Sequence, residues 1–305
     1  MLYLKSINEF FNSNNKVKRI NQPLEYGNIK SKIKTYKDQS FIKWLKSKYD
    51  ESEWNSITEL FCSSSNLTSL EGIELLPNLK ELYCRNNNIK NLDGIEKLKK
   101  LENLNIEGNR FINIEKLKYV FSLKILNLSY TKLTTLDEIT NLINLEELYC
   151  HDNHLISLNL DKLKKLKILN AGYNNIKFLD LSKLTNLKEL YLSGNLLSSI
   201  KSIENLSKLE ILELSHNRLS ELPLSNLTSL KTLNINQNNF NYLDVSNLLK
   251  LEYLDIALNN FESIDISYLY NLKVLWCYEN YLTKNSIKGI ETVKEVEGCD
   301  RQKKI

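Results

Sequence analysis

Four residues that could bind zinc or perform nucleophilic chemistry are crowded into the stretch YCHDNHL, residues 149–155: Cys150, His151, Asp152 and His154. A zinc site needs about four ligands that converge to within roughly 2.0–2.3 Å of the ion. A cysteine nucleophile needs a base within hydrogen-bonding distance. Whether these side chains can converge depends on the local structure that carries them.

The stretch belongs to a pattern that recurs along most of the chain. Six copies are LKELYCRNNNI (79–89), LENLNIEGNRF (101–111), LEELYCHDNHL (145–155), LKELYLSGNLL (187–197), LEILELSHNRL (209–219) and LKVLWCYENYL (272–282). Each follows L-x-x-L-x-[LIC]-x-x-N-x-[LIF]. Eleven copies begin at residues 57, 79, 101, 123, 145, 166, 187, 209, 230, 251 and 272, so the period is 21 or 22 residues. Such a period indicates a solenoid.

The spacing assigns a side to each residue of a copy. Positions 3 to 7 alternate as in a short β-strand, so positions 4 and 6 point inward while positions 3, 5 and 7 point outward. Stacked copies pair their strands in parallel and share one core. The asparagine at position 9 is expected to bond to the backbone of adjacent coils. Ser65 and Thr131 replace it in two copies, and we expect those coils to be less well tied.

The eleven-residue pattern resembles that of the leucine-rich-repeat family. The 22-residue copies, such as LTSLEGIELL (67–76) and IKNLDGIEKL (89–98), resemble repeats of internalins and of a phosphatase-regulating leucine-rich-repeat protein. The 21-residue copies, such as FLDLSKL (178–184) and YLDVSNL (242–248), resemble repeats common in bacteria, protists and large DNA viruses. The resemblance implies an α/β fold: a right-handed, curved solenoid with a parallel sheet on its concave face and short helical, 3₁₀ or extended segments on its convex face.

The repeat register separates the reactive side chains of YCHDNHL. Cys62, Cys84, Cys150 and Cys277 all occupy position 6, where a buried thiol behaves as a small apolar side chain. Cys150 and His151 are strand neighbours and leave opposite faces, so they cannot share a metal or form a nucleophile pair. We therefore expect no metal, no cofactor and no catalytic residue, and the odd number of cysteines favours a reducing compartment.

Composition limits the remaining function classes. The formal net charge is +4, with 41 Lys and Arg against 37 Asp and Glu, a balance that does not indicate nucleic acid or a membrane surface. The chain starts without the features of a secretory signal and contains no continuous apolar run of membrane-spanning length. We expect an intracellular, cytoplasmic monomer that binds a protein partner and neither a membrane nor nucleic acid.

Three regions are expected along the chain. Residues 1–56 form a basic flank that ends in a capping helix over about 40–54, with Ser40 as its N-cap and an apolar face of Phe41, Trp44, Leu45 and Tyr49. Residues 57–292 hold the eleven repeats, and residues 293–305 hold a truncated terminal repeat, VKEVEGCD, with a basic tail. The helix would cover the first coil, the alternative being a partner-binding helix. The basic stretch 12–38 is a solvated segment or, alternatively, a docking segment for RNA or an acidic partner.

The outward positions are the candidates for partner binding, because rigid exposed aromatic and arginine side chains dominate interface energetics. The alternative is that they pack against one another across the strands. The candidate residues are Tyr83, Arg85, Tyr149, His151, Tyr173, Tyr191, His216, Tyr253, Trp276 and Tyr278. The sequence thus favours a non-enzymatic scaffold that binds a protein on its concave strand face.

Two other functions stay open. The first is a regulatory subunit or effector-like modulator of an enzyme in a phosphatase or ubiquitin pathway. It would follow from the resemblance of the 22-residue copies to the phosphatase regulator, or of a single proline-bearing stretch, ELPL (221–224), to bacterial effector ligases. The second is RNA binding through the N-terminal flank, which predicts a steep dependence of affinity on salt.

Overall fold

The computed structural model describes residues 36–298 and 302–303 of the chain. The basic flank before residue 36 and Cys299 in the truncated repeat lie outside these residues. Fourteen strands are described: β1 (Glu59–Phe61), β2 (Glu81–Tyr83), β3 (Asn103–Asn105), β4 (Ile125–Asn127), β5 (Glu147–Tyr149), β6 (Ile168–Asn170), β7 (Glu189–Tyr191), β8 (Ile211–Glu213), β9 (Thr232–Asn234), β10 (Tyr253–Asp255), β11 (Ile264–Asp265), β12 (Val274–Trp276), β13 (Ile287–Lys288) and β14 (Glu295–Glu297).

Twelve of these strands form one parallel sheet that follows chain order from β1 to β10 and continues through β12 to β14. β11 and β13 form a separate parallel pair. Equivalent repeat positions face each other, for example Leu82 opposite both Leu60 and Leu104. The leucine at position 4 is fully buried in every one of the eleven copies. The predicted solenoid with a parallel sheet is confirmed.

The asparagines at position 9 link successive coils through their side-chain amides. In the second repeat, Asn87 Nδ2 donates to the carbonyl oxygens of Cys62 and Cys84, each at 2.9 Å, while its Oδ1 accepts from the amide of Leu67 at 3.0 Å. The same arrangement recurs at Asn109, Asn153, Asn174, Asn195, Asn217, Asn238, Asn259 and Asn280. One side chain therefore satisfies backbone groups of two coils that the sheet does not reach.

The fourth repeat has Thr131 in place of this asparagine. The Thr131 hydroxyl lies 2.6 Å from the carbonyl oxygen of Leu128 in its own coil and 3.0 Å from Asn153 Oδ1 of the next coil. Its short side chain forms no hydrogen bond to the preceding coil among the described residues. This is the physical basis for the weaker tie expected there.

Position 8 adopts a left-handed backbone conformation in all eleven repeats, with φ between +52° and +67°. Its occupants are Ser64, Asn86, Gly108, Tyr130, Asp152, Tyr173, Gly194, His216, Gln237, Leu258 and Glu279. Such a φ is unfavourable for a bulky side chain, yet tyrosine occupies two of these positions. Because the residue type varies so widely, sequence alone does not reveal this turn.

Repeat length determines the structure of the convex side. Each of the five 22-residue repeats carries a 3₁₀ turn there: Ile73–Leu75, Ile95–Lys97, Glu115–Tyr119, Asp137–Ile139 and Lys201–Asn205. The 21-residue repeats that begin at residues 145, 166, 209, 230 and 251 carry none. Two further turns, Lys284–Ser286 and Ile290–Thr292, belong to the last complete repeat.

A short helix, α1 (Ser40–Lys48), covers the first coil, and a 3₁₀ turn, Glu51–Ser56, follows it. Phe41, Ile42 and Leu45 of α1 are buried in the same core as the repeats. The helix is shorter than the predicted 40–54, because Tyr49 and Asp50 are extended and Asp50 begins a new capping box with Glu53.

The N-cap of α1 also differs from the prediction. The capping position is Gln39 rather than Ser40, and Gln39 forms no side-chain capping bond. Instead, Asp38 Oδ1 accepts from the backbone amide of Ser40 at 2.8 Å, and Asp38 Oδ2 accepts from the hydroxyl of Thr68 at 2.5 Å. The carboxylate that precedes the helix therefore satisfies its first amide and ties it to the first repeat.

Candidate functional site

Three outward tyrosines of the sheet pair with a glutamate of their own strand. The tripeptide Glu-Leu-Tyr recurs at β2, β5 and β7, and the strand period places its first and third residues on one face. The hydroxyls of Tyr83, Tyr149 and Tyr191 donate to the glutamates two residues earlier at 2.6, 2.9 and 2.8 Å. Burial raises the pKa of Tyr83 and of Tyr149 above the ordinary value. The phenols of Tyr83 and Tyr149 therefore remain neutral donors.

These tyrosines are not equally accessible. The ring of Tyr83 is partly exposed and stacks on Phe61 with centroids 4.9 Å apart. Tyr149 is only 6% exposed, whereas Tyr191 is partly exposed. Some of the outward aromatic side chains thus pack across the strands, and others face outward.

A second group gathers where β4, β5 and β6 end. The rings of Tyr130 and His151 meet edge to face with centroids 5.1 Å apart, and His151 Nδ1 lies 2.9 Å from Asp152 Oδ2. Tyr130 is 52% exposed and Tyr173 is 58% exposed. Tyr173 packs closely on Gly194 of the next repeat, where a Cβ atom would lie 2.6 Å from its ring. Tyr130 was not among the residues predicted to bind a partner.

A third group lies at the C-terminal end of the sheet. The rings of Tyr253 and Trp276 meet edge to face with centroids 5.4 Å apart. Asn236 Nδ2 lies 3.5 Å from both Asp255 Oδ1 and the hydroxyl of Tyr278. Repeats nine to eleven thus bring three of the predicted residues together. His216 borders this group, since its backbone amide donates to the carbonyl oxygen of Asn236 at 2.8 Å, and its side chain is exposed. Arg85, in the second repeat, stands apart and is partly exposed.

Two carboxylates of the sheet carry perturbed pKa values that the sequence did not indicate. Burial raises the pKa of Glu213 to about 7 and that of Asp255 to about 6. Burial likewise raises the pKa of Glu147. The repeat gives their positions, 5 for Glu213 and Asp255 and 3 for Glu147, but it does not give their degree of burial.

The raised pKa of Glu213 predicts a pH dependence of stability. Its folded value of about 7 exceeds the ordinary value of 4.5, so the folded state binds more protons between these limits and stability falls as pH rises through them. Between about pH 5 and pH 8, urea unfolding should show the wild type losing about 2 kcal/mol relative to Glu213→Gln. Glu210→Gln, which removes a carboxylate ion-paired to Lys231, should lack this effect. Parallel pH curves for wild type and Glu213→Gln would contradict the prediction.

The cysteines of position 6 are buried, as their register predicts. Cys62, Cys84 and Cys150 are free thiols, and burial raises the pKa of the Cys150 thiol to about 12. Cys277 is buried too, but its sulfur is part of a disulfide, which was not predicted from the sequence. Cys277 lies in the last complete coil, where the following copy has Gly298 instead of an apolar residue. This disulfide is a feature typical of an oxidising compartment.

The structure separates the reactive side chains of YCHDNHL as the register predicts. Cys150 is fully buried in the core, His151 pairs with Asp152 on the outer side, and His154 is exposed. Within residues 36–298 and 302–303, no group of three or more His, Cys, Asp or Glu side chains is arranged to hold a metal ion. No helix in the same residues is long and apolar enough to cross a membrane.

Comparison with known proteins identifies the repeat. The pattern described as Leucine Rich repeats (2 copies) matches residues 77–119 and 164–208, and Leucine Rich Repeat matches residues 208–230. A protein phosphatase 1 regulatory inhibitor subunit PPP1R7 homolog of Arabidopsis thaliana is 42% identical over 81 residues, 26% of this chain and 25% of that protein. The 187-kDa microtubule-associated protein AIR9 of the same plant is 35% identical over 85 residues, 27% of this chain and 5% of that protein. The chain therefore spans a quarter or less of these curated relatives.

Solved structures share the fold over most of the chain. The functional domain of InlJ from Listeria monocytogenes, which includes a cysteine ladder, has a TM-score of 0.73 at 27% identity and covers 84% of this chain and 56% of its own. The internalin inlF from the same species has a TM-score of 0.70 at 23% identity and covers 93% of this chain and 94% of its own. With eleven sequence copies in register on one parallel sheet, the chain is a leucine-rich-repeat protein.

Proposed function

We propose that the protein is a non-enzymatic scaffold that binds a protein partner on the concave strand face. The observation that carries the proposal is the row of aromatic side chains at outward positions, which ends in the pair Tyr253 and Trp276. Aromatic rings held on a rigid sheet bury much area at a small cost in conformational entropy.

An affinity capture from the source cells with the full chain tests this proposal. Replacing Tyr83, Tyr149, Tyr191 and Trp276 together with alanine should abolish capture of the partners that the wild type retains. The matched control replaces four exposed aromatics that follow position 11 of their repeats: Phe121, Phe178, Tyr242 and Tyr270. Capture by this control should equal that of the wild type. If the variant with the four outward aromatics changed to alanine retains the same partners, the concave-face proposal is refuted.

A second variant separates binding from folding, since Tyr149 is nearly buried. Tyr130, Tyr173 and His216 have exposed side chains at position 8, so their replacement by alanine removes little core packing. Circular dichroism should show this variant folded. If the partner lies across the sheet and its strand ends, capture by this variant should weaken several-fold.

A second candidate function is the regulation of an enzyme. The similarity to the PPP1R7 homolog over 81 residues favours a phosphatase as that enzyme. Inhibition of purified protein phosphatase 1 by the full chain would establish it, and an unchanged phosphatase rate would refute it.

The proposal includes an intracellular location. Three buried free thiols support it, and the disulfide at Cys277 opposes it. Thiol alkylation of the protein in intact cells, followed by mass spectrometry, reports the state of Cys277 in its own compartment.

A further inference from the structure

The outward face of the sheet is acidic although the whole chain is slightly basic. At positions 3, 5 and 7 of the eleven repeats, Arg85 is the single Lys or Arg side chain. Seven carboxylates occupy the same positions: Glu59, Glu81, Glu107, Glu147, Glu189, Glu213 and Asp255. We call these seven the acidic row. None of them forms an ion pair with another residue in the described part of the chain.

Neutral groups donate hydrogen bonds to the acidic row. Glu81, Glu147 and Glu189 accept from tyrosine hydroxyls. Glu107 accepts from the amide of Asn127 at 3.1 Å. Neutral donors satisfy lone pairs but add no positive charge to the row.

Position 2 of the same repeats shows the opposite arrangement. Lysines there pair with glutamates of the preceding coil: Lys124 with Glu102, Lys167 with Glu146, Lys231 with Glu210, and Lys273 with Glu252, at 2.5 to 2.8 Å. The chain therefore neutralises carboxylates one residue away from the acidic row. The lack of cations on the row is a property of that face and not of the composition.

The row has a candidate seat for a cation at its C-terminal end, between the partly exposed Glu213 and the buried Asp255. Glu213, Asn234, Asp255 and Trp276 stand side by side on β8, β9, β10 and β12. A cation above Asn234 would lie between two carboxylates whose strands are about 10 Å apart. The rings of Tyr253 and Trp276 border this seat, and aromatic faces attract Arg and Lys side chains.

Two buried N–H donors on the same face, one on β3 and one on β12, have no partner among the described residues. Asn105 is fully buried at position 5, and its Nδ2 has no hydrogen-bond partner among the described residues. The indole nitrogen of Trp276 is likewise buried and without a partner there. Both groups are N–H donors. The carbonyl oxygens of an extended segment are acceptors that side-chain rearrangement would bring within reach.

We propose that the partner contributes an extended, arginine- or lysine-bearing segment, with one cationic side chain seated between Glu213 and Asp255 beside Tyr253 and Trp276. This inference rests on the proposed concave-face function and specifies its partner. Charge complementarity carries it, because a partner of like charge would be repelled across the whole row. Nucleic acid is repelled in the same way.

Fluorescence anisotropy with the full chain tests the seat. The probe is a labelled peptide in which Arg alternates with Ser, and the comparison peptide has Gln in place of Arg. The Arg peptide should bind at least about tenfold more tightly, with an affinity that falls as salt rises. The double variant Glu213→Gln/Asp255→Asn should weaken Arg-peptide binding at least about tenfold.

The chain offers a matched control for this double variant. Glu210→Gln/Glu252→Gln removes the same two charges from the same two repeats, but at position 2. It should leave Arg-peptide binding within about twofold of the wild type. Equal weakening by both double variants, or equal binding of the Arg and Gln peptides, would overturn the inference.

Two further outcomes separate the possible occupants. The first is the binding of the Arg peptide after Lys16, Lys18 and Arg19 are changed to Gln. Tighter binding by this variant would show that the chain's own basic flank competes for the face. That result would overturn the inference that an external partner occupies it. The second is the capture of the native partner. If the variant with Tyr83, Tyr149, Tyr191 and Trp276 changed to alanine loses this partner while Glu213→Gln/Asp255→Asn retains it, the inference of a cationic segment is refuted and the proposed function stands.

Discussion

Replacement of Asn174 by alanine is expected to lower the free energy of unfolding by about 2–4 kcal/mol. The Asn174 amide nitrogen donates to the carbonyl oxygens of Cys150 at 3.0 Å and Ala171 at 3.1 Å, and its Oδ1 accepts from the amide of Leu155 at 3.0 Å. Alanine leaves the buried amide of Leu155 without this acceptor, and each carbonyl oxygen loses one of two donors, because Cys150 also accepts from Asn153 and Ala171 from Asn195. Each unsatisfied group costs about 1–3 kcal/mol. Urea denaturation followed by circular dichroism measures the loss.

The neighbouring residue provides the control. Asn175 has the same side chain, but it is exposed, and no side-chain hydrogen bond is described for it. Asn175→Ala should change the free energy of unfolding by no more than about 0.5 kcal/mol. Similar losses for the two variants would mean that the asparagine ladder does not hold the coils together. A broadened transition for Asn174→Ala alone would indicate that the stack separates at this coil.

The fold could be predicted because the same residue pattern recurs eleven times along the chain. Position 4 had to be buried in each copy, and it is. Position 9 had to satisfy backbone groups that the sheet leaves over, and Asn87 and its counterparts do so. Such features depend only on the register within one coil and on the identical coil beside it. An atypical residue in one copy does not change the prediction, because the other copies still show the pattern.

Features of the structure that the pattern of a single coil does not determine could not be predicted from the sequence. The burial of Tyr149 and the raised pKa values of Glu213 and Asp255 belong to outward positions, whose burial the repeat pattern does not determine. The left-handed turn at position 8 escaped for a different reason, since residues as unlike as Gly108 and Tyr173 adopt it. At the ends of the stack no neighbouring copy constrains the chain, and there the predicted helix was too long and the disulfide of Cys277 was missed.

Replacement of Phe41 by alanine should destabilise the protein by about 3–5 kcal/mol. Phe41 is fully buried, and α1 packs tightly on the first repeat, since a Cβ atom on Gly72 would lie 2.4 Å from Ile42 Cδ1. Loss of the ring removes apolar area and leaves a cavity over the end of the core. The first coil should then open before the rest, and hydrogen exchange should show lost protection in β1 and β2 first.

Phe178→Ala is the matched control, because Phe178 is 73% exposed. It removes the same ring from the convex side and should change the free energy of unfolding by no more than about 0.5 kcal/mol. If Phe41→Ala were equally mild, α1 would not cap the stack. The alternative, that α1 is a partner-binding helix, would then apply. In that case the full chain carrying Phe41→Ala would lose its partner while keeping its stability. Loss of stability with retained capture is the outcome expected of a cap, because a cap protects the edge of the core without touching the concave face.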